Sequence, residues 1–159
     1  MKNRIFISMQ DGLSAPKWLE HVEDYMIKAM DFLNYSNEEI SLLFCTDDFI
    51  QELNKSYRDI DSPTDVLSFE NDESYQEEGV NWHCMGDIAI SLDTLPKNAA
   101  YFHQNENQEL KRLLLHGLLH LNGMDHGEEH IEEGVKPTGE MLVLQEDILE
   151  KLKDETIIK

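Results

Sequence analysis

The segment that most constrains the fold is a nearly continuous apolar run broken only by two histidines and a glycine. Over residues 113–121 it has the sequence Leu-Leu-Leu-His-Gly-Leu-Leu-His-Leu, which places the histidines at His116 and His120. A helix that is apolar on every side is expected to be buried in the core. A step of four residues stacks two side chains on one helix face, about 6 Å apart along the axis. Both imidazoles can therefore face one cation.

A third histidine follows this helix. Asn122 and Gly123 end it, because glycine adopts the left-handed C-terminal conformation at little cost, and the turn can bring His126 towards the same point. Three neutral imidazoles leave one tetrahedral position open, as in catalytic zinc sites, and other divalent transition metals such as nickel also suit a three-imidazole site. The alternative is a set of core histidines with hydrogen-bonded rings. His130, four residues after His126, is a further candidate ligand, although its glutamate-rich surroundings favour a solvated surface histidine.

The three histidines and Gly123 match the metzincin pattern His-Glu-x-x-His-x-x-Gly-x-x-His in every ligand position. The departure is Gly117, which stands where a zinc peptidase carries its glutamate base, and the two leucines after it cannot replace that base. Peptidase activity is therefore disfavoured. A bound metal could still lower the pKa of its water towards about 7 and polarise a substrate oxygen. Asp125 is the nearest acid that could orient this water or an imidazole, unless it only forms a turn.

The composition limits the classes of function. A chain of 159 residues with 40% hydrophobic content fits one domain over residues 1–159. Its net charge of -20 repels polyanions at long range, so RNA binding would need a local cationic site. No signal peptide or membrane span is predicted. Cys45 and Cys84 lack the spacing of a disulfide framework, so we expect free thiols and a cytoplasmic protein.

Hydrophobic periodicity predicts alternating strands and helices, and therefore an α/β or α+β fold with about four strands and about five helices. The strands are predicted over residues 4–8, 39–46, 66–69 and 87–91. The helices are predicted over residues 15–32, from residue 47 to the loop at 59–65, and over 92–102, 107–121 and 139–153. The acidic segment 70–81 is predicted to be a hairpin-like excursion.

Three blocks of the chain resemble the YbeY family of bacterial rRNA-maturation endoribonucleases. They are LNKSYRDIDSPTDVLSF at 53–69, GDIAIS at 86–91 and HGLLHLNGMDH at 116–126. The resemblance implies a mixed four-stranded sheet packed by helices, with one zinc ion held by His116, His120 and His126. It also implies single-strand-specific cleavage of RNA, in maturation of the 3′ end of 16S rRNA and in late ribosome quality control. Met124 and Glu70 depart mildly from the family pattern, and neither is a ligand.

Arg58 matches the arginine that the family places in the cleft near the metal. A planar guanidinium can hold two non-bridging oxygens of a phosphodiester transition state. The alternative is a helix-end cation that interacts with the carbonyl dipoles and pairs with Asp59 or Asp61. Lys55, one turn earlier, could extend a cationic patch. Lys111 and Arg112 could do the same, although a solvated helix face explains them equally well.

Two other polar residues are candidates with weaker support. Ser68 is expected to be a structural residue of a strand whose polar side chains line one wall, with substrate contact as its alternative role, and Asp87 could orient a ligating histidine. The favoured hypothesis is a zinc-dependent endoribonuclease that acts on single-stranded rRNA in ribosomal particles. The alternative is a ribosome-assembly module with structural zinc, whose acidic surface binds basic ribosomal proteins. A hydrolase of peptides or small molecules ranks last, because Gly117 replaces the base.

Overall fold

The computed structural model describes residues 3–124 and 139–158. The strands in this part of the chain are β1 (Asn3–Met9), β2 (Glu38–Cys45), β3 (Val66–Glu77) and β4 (Val80–Ser91). The α-helices are α1 (Val22–Phe32), α2 (Asp47–Arg58), α3 (Thr94–Tyr101), α4 (Glu106–Leu121) and α5 (Glu140–Lys151). The predicted α/β class, with four strands and five helices, is confirmed.

The four strands form one mixed sheet in the order β1-β2-β4-β3. Strands β1, β2 and β4 are parallel, and β3 pairs antiparallel with β4 at the edge of the sheet. The turn between β3 and β4 has positive φ at both Glu78 (52°) and Gly79 (81°), the backbone that a tight hairpin turn requires. The predicted strands at 66–69 and 87–91 are therefore the far ends of a longer hairpin, and most of the acidic excursion is paired strand.

Helices cover the two faces of the sheet unequally. The larger core cluster joins α1, α4 and α5 to the apolar side chains of β2 and β4 on one face. Helix α2 packs on the other face, where Ile50 contacts the smaller cluster that contains Leu67 and Ala89. Since side chains alternate between the faces of a strand, neighbouring residues of β3 or β4 face different helices. This alternation determines on which face of the sheet each residue of the candidate site lies.

Helix α4 lies in the core, as its apolar sequence predicts. Asn105 and Gln108 form a capping box at its start, so the helix begins one residue before the predicted boundary. A Cβ on Gly117 would lie 2.9 Å from the side chain of Ile88 in β4, so the absence of a side chain allows this close approach.

One predicted helix is divided into two. Residues 15–32 contain a 3₁₀ helix, Lys17–His21, followed by α1. Pro16 has an extended backbone at the start of the 3₁₀ helix and provides no side-chain cap. In the described residues, none of the helices has the length and apolar character needed to cross a membrane.

Candidate functional site

His116 and His120 lie side by side on α4, as their spacing predicts. Their Nε2 atoms are 3.1 Å apart, and their ring centroids are 4.6 Å apart with the planes at 75°. Two imidazole nitrogens at about 2.0–2.1 Å from one tetrahedral zinc lie about 3.3 Å from each other. The same separation suits a hydrogen bond in which one ring donates to the other. The two rings are therefore close to the arrangement that a shared metal requires.

The other ring nitrogen of His116 contacts Gln145 of α5. Its Nδ1 lies 2.8 Å from Oε1 of Gln145, whose side chain is fully buried. A carbonyl oxygen can only accept, so this contact is a hydrogen bond in the tautomer that carries the proton on Nδ1. Gln145 is not among the site residues that the sequence predicts. The available signal was one polar residue among the buried positions of α5, which are Met141, Leu142, Gln145 and Ile148.

The remaining predicted residues of the metal site, namely His126, Asp125 and His130, lie outside the described residues. Within residues 3–124 and 139–158, no group of three or more His, Cys, Asp or Glu side chains could hold a metal ion. The described part of the chain thus contains two of the three predicted ligands, and the role of all three as metal ligands stays a prediction.

Arg58 and Lys55 lie in the last turn of α2, with their side chains exposed to solvent. Asp59 ends the helix in the left-handed conformation, and its N–H donates to the carbonyl oxygen of Lys55. Asp61 accepts a hydrogen bond of 2.9 Å from Gln51 instead of pairing with Arg58. Among the described residues, the Arg58 guanidinium makes no ion pair or side-chain hydrogen bond. Pairing with Asp59 or Asp61, the alternative from the sequence, is therefore not observed.

The C-terminal ends of α2 and α4 approach the same level of the sheet from opposite faces. Tyr57, next to Arg58, packs edge-on against Phe69 of β3 with ring centroids 5.2 Å apart. On the other face, Leu121 lies against Gly86, whose backbone is close to the carbonyl oxygen of Phe69. Both helix ends therefore meet the sheet beside β3, which is an edge strand.

Ser68 and Asp87 lie on different faces of the sheet. Ser68 pairs with Ile88, the residue that Gly117 contacts, so Ser68 is on the α4 face near the level of His116. This position is compatible with the predicted role in the cleft wall. Asp87 precedes Ile88 in regular pairing and therefore lies on the opposite face. The register argues against Asp87 as the partner of a histidine on α4; the observed partner of His116 is Gln145.

Lys111 is not available to bind RNA. It is only 4% exposed, and its Nζ donates to the carbonyl oxygens of Leu152 at 2.7 Å and Glu155 at 2.9 Å. These contacts satisfy carbonyl groups just beyond the end of α5. The predictions of a cationic patch or a solvated helix face are therefore both wrong for Lys111.

Arg112 is also committed to contacts within the protein. Its side chain is 11% exposed and donates to both carboxylate oxygens of the fully buried Glu109, at 2.8 and 2.6 Å. Burial alone would lower the pKa of Arg112, but the hydrogen bonds with Glu109 raise it above its ordinary value. The guanidinium also lies 3.7 Å from Asp65 at the start of β3. Arg112 therefore helps to tie α4 to the edge of the sheet, and the solvated alternative is wrong here too.

Comparisons with known proteins agree with this fold. A family model described as "Endoribonuclease YbeY" matches residues 6–153. Endoribonuclease YbeY of Treponema denticola is 48% identical over 100% of this chain and 99% of that protein. Endoribonuclease YbeY of Treponema pallidum strain Nichols is 43% identical over 92% of this chain and 88% of its own length. The solution structure of TM1509 from Thermotoga maritima covers 93% of this chain and 88% of that chain, with 29% identity and a TM-score of 0.61.

Proposed function

This chain belongs to the YbeY endoribonuclease family, and from that premise we propose that it is a zinc-dependent endoribonuclease that cleaves single-stranded RNA. The observation that carries the proposal is the pair of Nε2 atoms 3.1 Å apart on α4. The proposed substrate is rRNA in ribosomal particles in the cytoplasm, with maturation of the 3′ end of 16S rRNA and late ribosome quality control as the reactions.

The residues present fit a zinc ion. His116 and His120 would hold it through their Nε2 atoms, and His126 is the proposed third ligand. Zinc bound by three imidazoles supplies an acidified water and an electrophile for a substrate oxygen. The Nδ1 of His116 faces Gln145, so its Nε2 is the nitrogen that faces His120 and the proposed ion.

Arg58 is the proposed phosphate-binding residue. Charge accumulates on the non-bridging oxygens when a phosphodiester reacts, and a guanidinium can donate to two of them at once. The Arg58 side chain is exposed and makes no competing ion pair among the described residues. Lys55 adds a second positive charge in the same helical turn. In a chain with a net charge of -20, this local pair gives RNA a cationic point of approach.

The proposal is tested by metal content and cleavage of a single-stranded RNA, with the same RNA annealed to its complement as a second substrate. We expect His120→Ala to lose both zinc and cleavage. We expect Arg58→Ala to keep zinc and to lose about a hundredfold or more in cleavage rate. Lys153→Ala is the matched control, because Lys153 is an exposed cation just after the end of α5 that pairs with Glu150. This substitution should change neither the zinc content nor the cleavage rate.

Two results would contradict the proposal. Cleavage that persists in His120→Ala, purified in the same way, would show that the nuclease does not depend on this site. Full ribosome assembly in cells carrying a zinc-loaded Arg58→Ala protein that cuts no RNA would favour an assembly module with structural zinc. The acidic surface is the observation that favours this second function, since it suits a basic ribosomal protein better than RNA.

A further inference from the structure

Gln145 is an unusual residue for its position in the fold. Its side chain is fully buried on α5 among Met141, Leu142 and Ile148. Desolvation raises the pKa of the neighbouring Glu146 carboxyl, and the charge of Arg112 and, to a smaller extent, the Gln145 amide oppose this shift. However, in the part of the chain that the structure describes, no acceptor meets the Gln145 Nε2 at hydrogen-bonding geometry. Among the described residues, the Gln145 side chain therefore buries an N–H donor that has no hydrogen bond, while its Oε1 contacts the Nδ1 of His116.

A purely structural role would favour an apolar residue at this position. Burying an amide with an unsatisfied donor lowers stability, whereas methionine has a similar shape and no donor to satisfy. The other buried positions of α5 named above are indeed apolar. The property that methionine lacks is a carbonyl oxygen 2.8 Å from the Nδ1 of His116.

We propose that Gln145 is a positioning residue that holds His116 in the tautomer with its proton on Nδ1 and directs the Nε2 lone pair towards the metal site. A neutral histidine can carry its proton on either nitrogen, and the hydrogen bond at one nitrogen decides which lone pair the other presents. Without the acceptor, His116 can place the proton on Nε2, where it blocks binding of a metal. The metal part of this inference rests on the proposed zinc site, whereas the tautomer part does not.

The same contact also fixes the orientation of the ring. His116 belongs to α4 and Gln145 to α5, so the hydrogen bond ties the imidazole to a second helix. The edge-on arrangement of His116 and His120, with the planes at 75°, then directs both Nε2 atoms to one region. Partners of this kind in metalloproteins typically affect metal affinity by about 10–100-fold.

The test compares Gln145→Met, which removes the acceptor, with Gln145→Glu, which keeps one. Nitrogen NMR of the metal-free protein reports the tautomer of His116, and competition with a chromophoric chelator reports the affinity for zinc. We expect Gln145→Glu to keep the proton on Nδ1 and to bind zinc at least as tightly as the original protein. We expect Gln145→Met to shift the proton towards Nε2 and to weaken zinc binding about 10–100-fold.

Gln76→Met is the matched control, because this glutamine is exposed on β3 and should change neither measurement. Thermal unfolding shows that the variants fold, and Gln145→Met should melt no lower than the original protein. An unchanged tautomer in a folded Gln145→Met protein would overturn the inference. If the original protein binds no zinc, the proposed function fails, and the NMR comparison still decides whether Gln145 sets the tautomer.

Discussion

Gly117 stands where a zinc peptidase carries its glutamate, but in this fold the position faces the core. A Cβ at Gly117 would lie 2.9 Å from both Cδ1 and Cγ2 of Ile88, whose side chain is fully buried. Contacts this short require a shift of Ile88 or of the helix. Replacement of Gly117 therefore tests directly how closely α4 packs on β4.

The expected magnitude is the difference between two opposing effects. Overpacking of a dense core typically costs about 1–3 kcal/mol. Alanine in place of glycine within a helix recovers about 1 kcal/mol. We therefore expect Gly117→Ala to lower the free energy of unfolding by about 0–2 kcal/mol. Gly117→Glu adds an unpaired buried carboxylate at a cost of several kcal/mol. That loss approaches the total stability of a typical domain, so we expect poor folding and no peptidase activity.

The assay is urea unfolding of Gly117→Ala with and without Ile88→Val, which removes Cδ1, one of the two side-chain atoms 2.9 Å from the added Cβ. A favourable coupling of about 0.5 kcal/mol or more between the two changes would show that they share the contact. If Gly117→Ala instead raises the free energy of unfolding by about 1 kcal/mol and shows no coupling to Ile88→Val, α4 and β4 do not pack as closely as in this structure. Cleavage of peptides by the original protein, with Gly117 in place, would refute the exclusion of peptidase chemistry.

Three further changes have predictable effects. Arg112→Ala leaves the buried Glu109 carboxylate without its cation, with only the Asn98 amide among the described residues still donating to it, so we expect a loss of about 3–5 kcal/mol in urea unfolding, largely recovered by adding Glu109→Leu. Desolvation raises the pKa of Glu38 above its ordinary 4.5, so the folded state binds more protons and stability falls as pH rises above about 4.5. Urea unfolding at a series of pH values from acidic to neutral should show a smaller fall in the free energy of unfolding for Glu38→Gln than for the original protein. Tyr57 is 70% exposed, and Tyr57→Ala should weaken single-stranded RNA binding by about 1–3 kcal/mol in fluorescence anisotropy. The control Phe32→Ala, at an exposed ring of α1, should not change RNA binding.

Local sequence patterns predicted the elements and the histidine pair. Helix geometry alone places His116 and His120 on one face, so their spacing was sufficient to predict that both face one point. The contact of His116 with Gln145 was not predictable in this way, because it joins two helices across 29 positions. Periodicity indicates which face of a helix is buried, but it does not identify the residue that lies opposite.

The two basic residues of α4 show the limits of reasoning from residue type. Lysine and arginine are seldom buried unless they are paired, so a solvated face was the simpler expectation for Lys111 and Arg112. The partner of Arg112 lies three residues earlier, within the range of helical pairing. The partners of Lys111 are backbone carbonyls 41 and 44 positions away, and no side-chain pattern records them.

The position of β3 at the edge of the sheet provides a physical reason for the proposed preference for single-stranded RNA. Arg58 ends a helix on one face and His120 lies near the end of a helix on the other, and both ends meet the sheet near Phe69 and Gly86. In the proposed complex, a phosphate held by Arg58 and a reacting bond near His120 must therefore lie around the free edge of one strand. A single RNA strand can bend around that edge with its backbone accessible from both sides. In a duplex, the complementary strand covers one side and stiffens the backbone. The preference should therefore persist when Tyr57 is removed, because it depends on the position of the edge between two helix ends as well as on stacking.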